Sequence, residues 1–215
     1  MNEGDTVSDA LKNHPYAQTI WNELMKVIKN EKGVSALMGN LQAESGLYPD
    51  RVQGDVPYSN YSKEYTQQVD SGAISKDDFI YNGPNGGGYG LAQWTYWSRK
   101  KEYYESWKSW GYDSIGNVNL ACDFLIVELR YSFPTILSAL ENATSIREAS
   151  DIVLHDFEAP ADQSESVEKL RAEMGQEIYD TFANGGGGGG GGGSTGSKEK
   201  QLSKLLLFAI ATDII

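Results

Sequence analysis

Residues 33–50 read GVSALMGNLQAESGLYPD, a stretch that combines a clear helical pattern with a candidate functional carboxylate. Its large apolar residues recur at helical spacing: Val34, Leu37, Met38 and Leu41. This spacing predicts an amphipathic helix, and Gly46 is a typical residue just past a helix end. Glu44, three residues beyond Leu41, is therefore predicted on the apolar face, near the C-terminus of the helix.

A carboxylate at the position of Glu44 is expected to hold its proton more tightly than usual. Burial disfavours its charged form, and so does the negative end of the helix dipole. The pattern thus predicts a raised pKa for Glu44, and leaving-group protonation in glycoside cleavage needs such a carboxylic acid. The small polar Ser45 and the following Gly46 would let a ligand approach closely. The alternative is a surface glutamate that pairs with a lysine.

A second block, residues 86–95, reads GGGYGLAQWT and combines side chains suited to sugar binding. Gln93 offers both a donor and an acceptor, and Tyr89 and Trp94 offer flat apolar faces. The alternatives are a Trp94 packed in the core and a Gln93 that caps backbone groups. The residues of this block predicted to bind substrate are Tyr89, Gly90, Gln93, Trp94 and Thr95.

Helical periodicity covers much of the chain up to residue 182. Besides the helix at residues 33–46, helices are predicted over residues 5–30, 98–110, 117–131, 136–141, 145–157 and 167–182. From residue 48 to 90 the pattern is lost among glycines and prolines, apart from a short helix near residues 75–81. Because long irregular stretches within compact domains are usually functional, we expect a mainly α domain whose loop-rich insertion forms a substrate cleft.

The composition changes abruptly after residue 184, where nine consecutive glycines begin. A glycine run cannot pack and has a high backbone entropy. We therefore predict a catalytic domain at residues 1–183, a flexible linker at residues 184–197 and an apolar tail at residues 198–215. The tail is too short to cross a bilayer, so it is interpreted as the start of a further element or module.

Composition excludes several classes of function. A formal net charge of −12 argues against nucleic-acid binding. One cysteine and two histidines allow no intramolecular disulfide and make a structural zinc site improbable. The first residues, MNEGDTVSDALK, lack the basic and apolar regions of a signal peptide. We expect no metal, no organic cofactor and no membrane span, and we expect another carrier to deliver the protein to any extracellular substrate.

The blocks AESGLYPD and YGLAQWT resemble the two signature blocks of the phage tail lysozyme family. They are more distantly similar to motifs of goose-type lysozymes and lytic transglycosylases. A third block, HDFEAP at residues 155–160, resembles the FE-x-P element of the family, and the resemblance covers residues 17–182. It implies a lysozyme-like fold in which Glu44 is the catalytic acid and Gln93 lines the cleft. Glu158 would be either a cleft residue or a structural anchor.

The resemblance further implies cleavage of the β-1,4 bond between N-acetylmuramic acid and N-acetylglucosamine in peptidoglycan. The partners would be glycan strands and other phage tail proteins, and the location would be the virion tail or the bacterial wall. Hydrolysis and transglycosylation both remain open, because no aspartate in or near the insertion is marked by spacing as a second carboxylate: Asp50, Asp55, Asp70, Asp77 and Asp78. Two rivals remain, a non-catalytic wall-binding or tail-assembly module and a peptidase or amidase with its active part beyond residue 215.

Two other groups of residues favour structural roles. Cys122 lies between apolar residues of a predicted helix, so a buried thiol is favoured over a cysteine nucleophile paired with His155. The basic run Arg99, Lys100 and Lys101 lies among aromatic residues. This run would bind an anionic glycan or, as we favour, form a helix with aromatic residues inward and solvated basic side chains.

Overall fold

The computed structural model describes residues 7–83 and 87–183, and the described part is mainly helical with no β-strand. Ten α-helices follow one another: α1 Val7–Lys12, α2 Ala17–Ile28, α3 Glu31–Ser45, α4 Asn60–Ser71, α5 Lys76–Tyr81, α6 Trp97–Trp110, α7 Val118–Tyr131, α8 Pro134–Glu141, α9 Ile146–Val153 and α10 Glu165–Phe182. A π-helical turn, Leu154–Glu158, continues α9 directly. The predicted linker and tail lie outside the described residues. No helix in the described ranges combines the length and apolar character needed to cross a membrane.

Helix α3 is the central helix of the domain. Its N-terminus is capped by the Asn30 side chain, which accepts hydrogen bonds from the backbone N–H groups of Lys32 and Gly33. Its C-terminus is closed by Gly46 at φ 64°, a left-handed conformation that glycine adopts without steric cost. The helix and its predicted end are thus confirmed. All residues from Gly33 to Leu41 are buried, so α3 packs on all sides over this stretch and nears the surface only at its two ends.

Helices α3 and α10 pack closely because two glycines meet at their crossing. A Cβ atom added to Gly39 would lie 2.5 Å from the backbone nitrogen of Gly175. Arg171 contacts Asn40, whereas Gly175 lies against Ser35 one turn earlier in α3, so the helices run antiparallel. This close approach brings Arg171 of α10 to the C-terminal end of α3.

A Gly39→Ala variant is expected to lose about 1–3 kcal/mol of unfolding free energy, the range typical of overpacking. In a helix that does not cross another closely, the same substitution should raise the unfolding free energy, because alanine favours a helix over glycine by about 1 kcal/mol. Urea denaturation measures the change. An equal or higher stability of the variant would contradict a tight contact with Gly175.

Two predictions about the helices were wrong, one about a boundary and one about a buried face. The segment predicted as one helix over residues 5–30 is broken between α1 and α2, where Pro15 interrupts helical hydrogen bonding. The buried face of α10 is also shifted from the one that apolar spacing favours. Leu170 is 51 % exposed, whereas Arg171 and Gly175 are buried together with the apolar Ile178.

The predicted irregular insertion contains two helices, and the rest of its described residues are irregular. Helix α5 matches the predicted short helix, but α4, with twelve residues, was missed. Its buried face consists of Ser62, Tyr65, Thr66 and Val69, which do not form an apolar pattern. The segments that remain irregular pair only through two isolated antiparallel bridges, Val52 with Tyr89 and Tyr89 with Trp94.

Candidate functional site

Glu44 lies in the last turn of α3, with its side chain 21 % exposed. Arg171 Nη2 donates a hydrogen bond to Glu44 Oε1 at 2.5 Å, and the Arg171 side chain is only 8 % exposed. A charge-assisted contact of this kind between a partly buried carboxylate and a guanidinium is short and strong. The side chain of Glu44 is therefore held in one place while part of it remains open to solvent.

The position of Arg171 is set by a buried asparagine. Arg171 Nη1 donates to Asn40 Oδ1 at 3.3 Å. The Asn40 amide in turn donates to the carbonyl of Ala36 and to the backbone and hydroxyl oxygens of Ser150. A satisfied buried network of this type has few alternative arrangements, so α3, α9 and α10 jointly fix the guanidinium beside Glu44. Sequence analysis missed Arg171, because the apolar spacing of α10 does not mark its position as buried.

Glu158 closes the π-helical turn and places a second carboxyl in the same charged environment. Its Oε1 atom is buried and has no hydrogen-bond partner among the described residues, and the same holds for Arg171 Nε. Burial, followed by the negative charge of Glu44, raises the pKa of Glu158 to about 8, against the opposing effects of Arg99 and Arg171. Glu158 is therefore protonated at neutral pH.

Unusual backbone conformations lie next to these carboxyls and in the second block. Among the described residues, four non-glycine residues have positive φ, and three of them adjoin or belong to the site: Leu47 at 64°, Gln93 at 46° and Ala159 at 43°. Ala159 directly follows Glu158, and its N–H bonds to Leu154 O at 2.9 Å, five residues back. Such conformations cost free energy and, like π-helical turns, occur often at functional sites.

The block around Gln93 is connected to the end of α3 through Arg51. Arg51 Nη1 donates to the carbonyl oxygen of Ser45 at 3.3 Å. The carbonyl of Arg51 accepts from Gln93 Nε2 at 3.0 Å and from the N–H of Gly90 at 2.8 Å. Gly90 has φ 82°, and a Cβ there would lie 2.8 Å from the Trp94 ring. The two blocks that are separate in sequence are thus adjacent in the fold.

Three residues predicted to bind substrate are instead buried, which corrects the expectation that they present surfaces to sugars. Ser45 has no exposed area, and its hydroxyl donates to Leu41 O. Tyr89 bonds through its hydroxyl to Thr66, and Trp94 packs on Tyr103. These side chains support the block from inside the protein.

Gln93 and Thr95 lie nearer the surface than the buried residues of their block. Gln93 is half-buried, and its amide nitrogen donates to the backbone carbonyls of Arg51 and Gly90. This agrees with the alternative interpretation, in which Gln93 caps backbone groups. Thr95 is exposed, and its hydroxyl donates to Gln93 O at 2.9 Å. These two residues remain candidates for substrate contact, whereas Gly90 is buried and its N–H and carbonyl bond to Arg51 and Gln93.

A buried ion pair joins the second block to the region of Glu158. Glu128 accepts a hydrogen bond from Trp94 Nε1 at 2.7 Å and two from Arg99, at 2.6 and 2.9 Å. The Arg99 guanidinium also lies over the ring of Phe157, 5.0 Å from its centroid. We use the term carboxylate cluster for Glu44, Glu128 and Glu158 with Arg99 and Arg171.

Two residues of the basic run at the start of α6, Arg99 and Lys100, are not solvated, contrary to the interpretation favoured from the sequence. Arg99 pairs with buried Glu128, and Lys100 is only 1 % exposed. The Lys100 ammonium lies 4.9 Å from the centroid of the Phe79 ring. Burial lowers the pKa of Lys100 to about 8. Arg99 and Lys100 therefore organise the interior near the second block.

Most of the aspartates considered as second carboxylates have structural partners. Asp50 accepts hydrogen bonds from the Tyr58 hydroxyl, and burial raises its pKa. Burial acts to raise the pKa of Asp55 as well, but hydrogen bonds from Ser59 and Ser62 outweigh it and lower that pKa to about 2. Asp70 and Asp78 bond to serine hydroxyls, those of Ser114 and Ser75 respectively; no structural partner is described for Asp77.

The cysteine nucleophile considered from the sequence is disfavoured by its surroundings. Cys122 is buried in α7, and burial raises the pKa of its thiol, which disfavours the reactive thiolate. His155 is held by Gln163 and Glu168. In the described ranges, no three histidine, cysteine, aspartate or glutamate side chains gather as metal ligands.

Comparison with known proteins gives one match. A family model described as phage tail lysozyme matches residues 15–182, about the same stretch as the resemblance seen in the sequence. No curated protein and no solved structure matches the chain. The matched stretch contains the whole carboxylate cluster and both signature blocks.

Proposed function

Because this chain belongs to the phage tail lysozyme family, we propose that it cleaves peptidoglycan at the β-1,4 bond between N-acetylmuramic acid and N-acetylglucosamine, with Glu44 as the catalytic acid. The family suggests a peptidoglycan-lysing role, and the assignment of bond and residue is ours. The observation that carries it is a partly exposed Glu44 that shares its charged surroundings with a protonated carboxyl. Cleavage of a glycosidic bond needs such a stored proton.

Glu44 is the better candidate to meet the sugar, and Glu158 to store the proton. The Glu44 side chain is partly exposed at the end of α3, whereas Glu158 Oε1 is buried. We propose that the proton held by Glu158 is delivered through Glu44. Below about pH 8 Glu158 carries this proton. A glycosidic oxygen placed against Glu44 would receive it as the bond from that oxygen to the sugar carbon breaks.

Arg171 would stabilise the charge that this step leaves behind. Once the proton has moved to the leaving oxygen, Glu44 is a carboxylate, and Arg171 Nη2 is already 2.5 Å from its Oε1 atom. A preorganised donor of this kind needs no reorganisation during the reaction. In hydrolysis the Glu44 carboxylate would then take a proton from the attacking water. In transglycosylation it would take the proton of the 6-hydroxyl of the same sugar, giving an anhydro product.

The second block would position the glycan. We propose that Gln93 and Thr95 contact the sugars, and that the buried residues of the two blocks support them from inside: Ser45, Tyr89, Gly90 and Trp94. The structure joins this block to the end of α3 through Arg51. We further propose that the protein works in the phage tail, alongside other tail proteins, where it opens the host wall locally.

Mass spectrometry of digested, purified peptidoglycan tests this function. Muramidase action is expected to release fragments with new reducing ends at N-acetylmuramic acid, and transglycosylase action fragments with anhydro-muramic ends. New amino termini without glycan cleavage would assign a peptidase or amidase and contradict the proposal. Binding to the wall without any new ends would assign the non-catalytic module.

A further inference from the structure

A cavity of about 400 Å³ lies between α4 and α5, apart from the carboxylate cluster. Its polar and aromatic lining includes Tyr61, Glu64, Tyr65, Gln68, Asp78 and Asn82. None of the described residues that line it is a lysine or an arginine. The volume is within the range of small-ligand sites and fits one amino-acid side chain or one sugar ring.

The charge of this cavity is negative. Glu64 is exposed, and its carboxylate forms no ion pair or hydrogen bond with another residue in the described ranges. Asp78 accepts hydrogen bonds from the Ser75 hydroxyl at 2.6 Å and from Asn82 Nδ2 at 3.0 Å, which orient it at the start of α5. Because no cationic side chain faces these two carboxylates, a positively charged ligand would be attracted.

Tyr65 supplies a second, independent indication of a ligand site. Its side chain is 7 % exposed, with its ring 6.5 Å from that of Phe79 and 6.0 Å from that of Tyr89. Burial, followed by the charges of Tyr61 and Asp78, raises the pKa of Tyr65 to about 12, so the hydroxyl stays neutral. Among the described residues this hydroxyl has no hydrogen-bond partner, although it belongs to a nearly buried side chain that lines the cavity. The hydroxyl is therefore free to donate or accept a hydrogen bond with a molecule in the cavity.

We propose that this cavity binds a primary alkylammonium group. The ammonium would lie between Glu64 and Asp78 and donate a hydrogen bond to the Tyr65 hydroxyl. The face of Tyr61, which is 43 % exposed, would add a cation–π contact, and Ile74 would pack against the alkyl chain. The proposed function enters only in naming the source, an amine of peptidoglycan, either in a peptide stem or in a non-acetylated amino sugar.

The test is an NMR titration of the full-length protein with four small probes. Nα-acetyl-lysine methylamide is expected to shift signals of α4 and α5, and its Nε-acetylated form to bind at least about tenfold more weakly, as for loss of a charge-assisted contact. Glucosamine compared with N-acetylglucosamine tests the amino-sugar source. A higher affinity for either charged probe than for its acetylated counterpart supports the site and identifies the source. Equal binding of charged and acetylated probes, or no binding of any of them, overturns it.

Variants locate the binding within the cavity. Glu64→Gln is expected to lower the affinity for the charged probe about threefold to fivefold, the effect of one partly exposed ion pair. Glu141→Gln, which removes an exposed charge from α8, is the matched control and should leave the affinity unchanged. Tyr65→Phe keeps the ring and should also weaken binding. Equal affinities in Glu64→Gln and Glu141→Gln would refute the site, and because no glycan cleavage is measured, this outcome is independent of the catalytic proposal.

Discussion

A Glu44→Gln variant is expected to cleave glycan about 10²–10⁴-fold more slowly, the usual contribution of general acid–base catalysis. Glutamine has nearly the shape of glutamate but no proton to donate to the glycosidic oxygen and no carboxylate to activate water. The release of soluble fragments from purified peptidoglycan measures the rate. A variant that clears the wall as fast as the wild type would show that Glu44 is not the acid.

The control for this experiment must separate chemistry from folding. Removal of the Glu44 charge leaves buried Arg171 without its ion-pair partner, and breaking a buried pair costs about 3–5 kcal/mol. Glu44 is partly exposed, so the cost should fall below that range. Glu31→Gln makes the same substitution in an exposed residue at the other end of α3 and should keep both stability and activity. Thermal unfolding of both variants shows whether the Glu44→Gln protein is folded when its activity is measured.

Periodicity predicted the helices whose buried faces are apolar, and it failed where the buried face is polar. Helix α3 and its end at Gly46 followed from local spacing. Helix α4 did not, because the buried Ser62 and Thr66 are satisfied by partners that the local sequence does not specify. Ser62 bonds to Asp55, and Thr66 bonds to Tyr89, 23 residues away.

The candidate site divides in the same way. A glutamate near the end of a helix could be selected from the sequence, as Glu44 was. The partner that holds it could not, because Arg171 is 127 residues away and reaches Glu44 only through the crossing of α3 and α10. A raised pKa is found for Glu158, which the sequence did not mark as a proton store. Its cause is burial together with the charge of Glu44, and both depend on the tertiary structure.

A Glu158→Gln variant should become more stable and less active, a combination that a purely structural residue would not produce. Wild-type Glu158 binds a proton more tightly in the folded than in the unfolded state. Its stabilising contribution is therefore complete below about pH 4.5, the usual glutamate value, and is lost as the pH rises towards about 8. Glutamine has no charge to bury, so at pH 8 the variant should exceed the wild type by roughly 2–4 kcal/mol. Urea denaturation at pH 5 and pH 8 measures this difference.

The activity of the same variant tests whether the two carboxyls share the catalytic proton. Wild-type activity should fall as the pH rises above about 8, since ionisation of Glu158 removes its stored proton. In Glu158→Gln the stored proton is absent. Activity at pH 7 should therefore fall about tenfold, a modest share of a general-acid contribution. The remaining activity should no longer fall above about pH 8, because the carboxyl that titrates there is absent. An unchanged pH–rate profile in Glu158→Gln would assign Glu158 to structure and leave Glu44 as the sole carboxyl of the reaction.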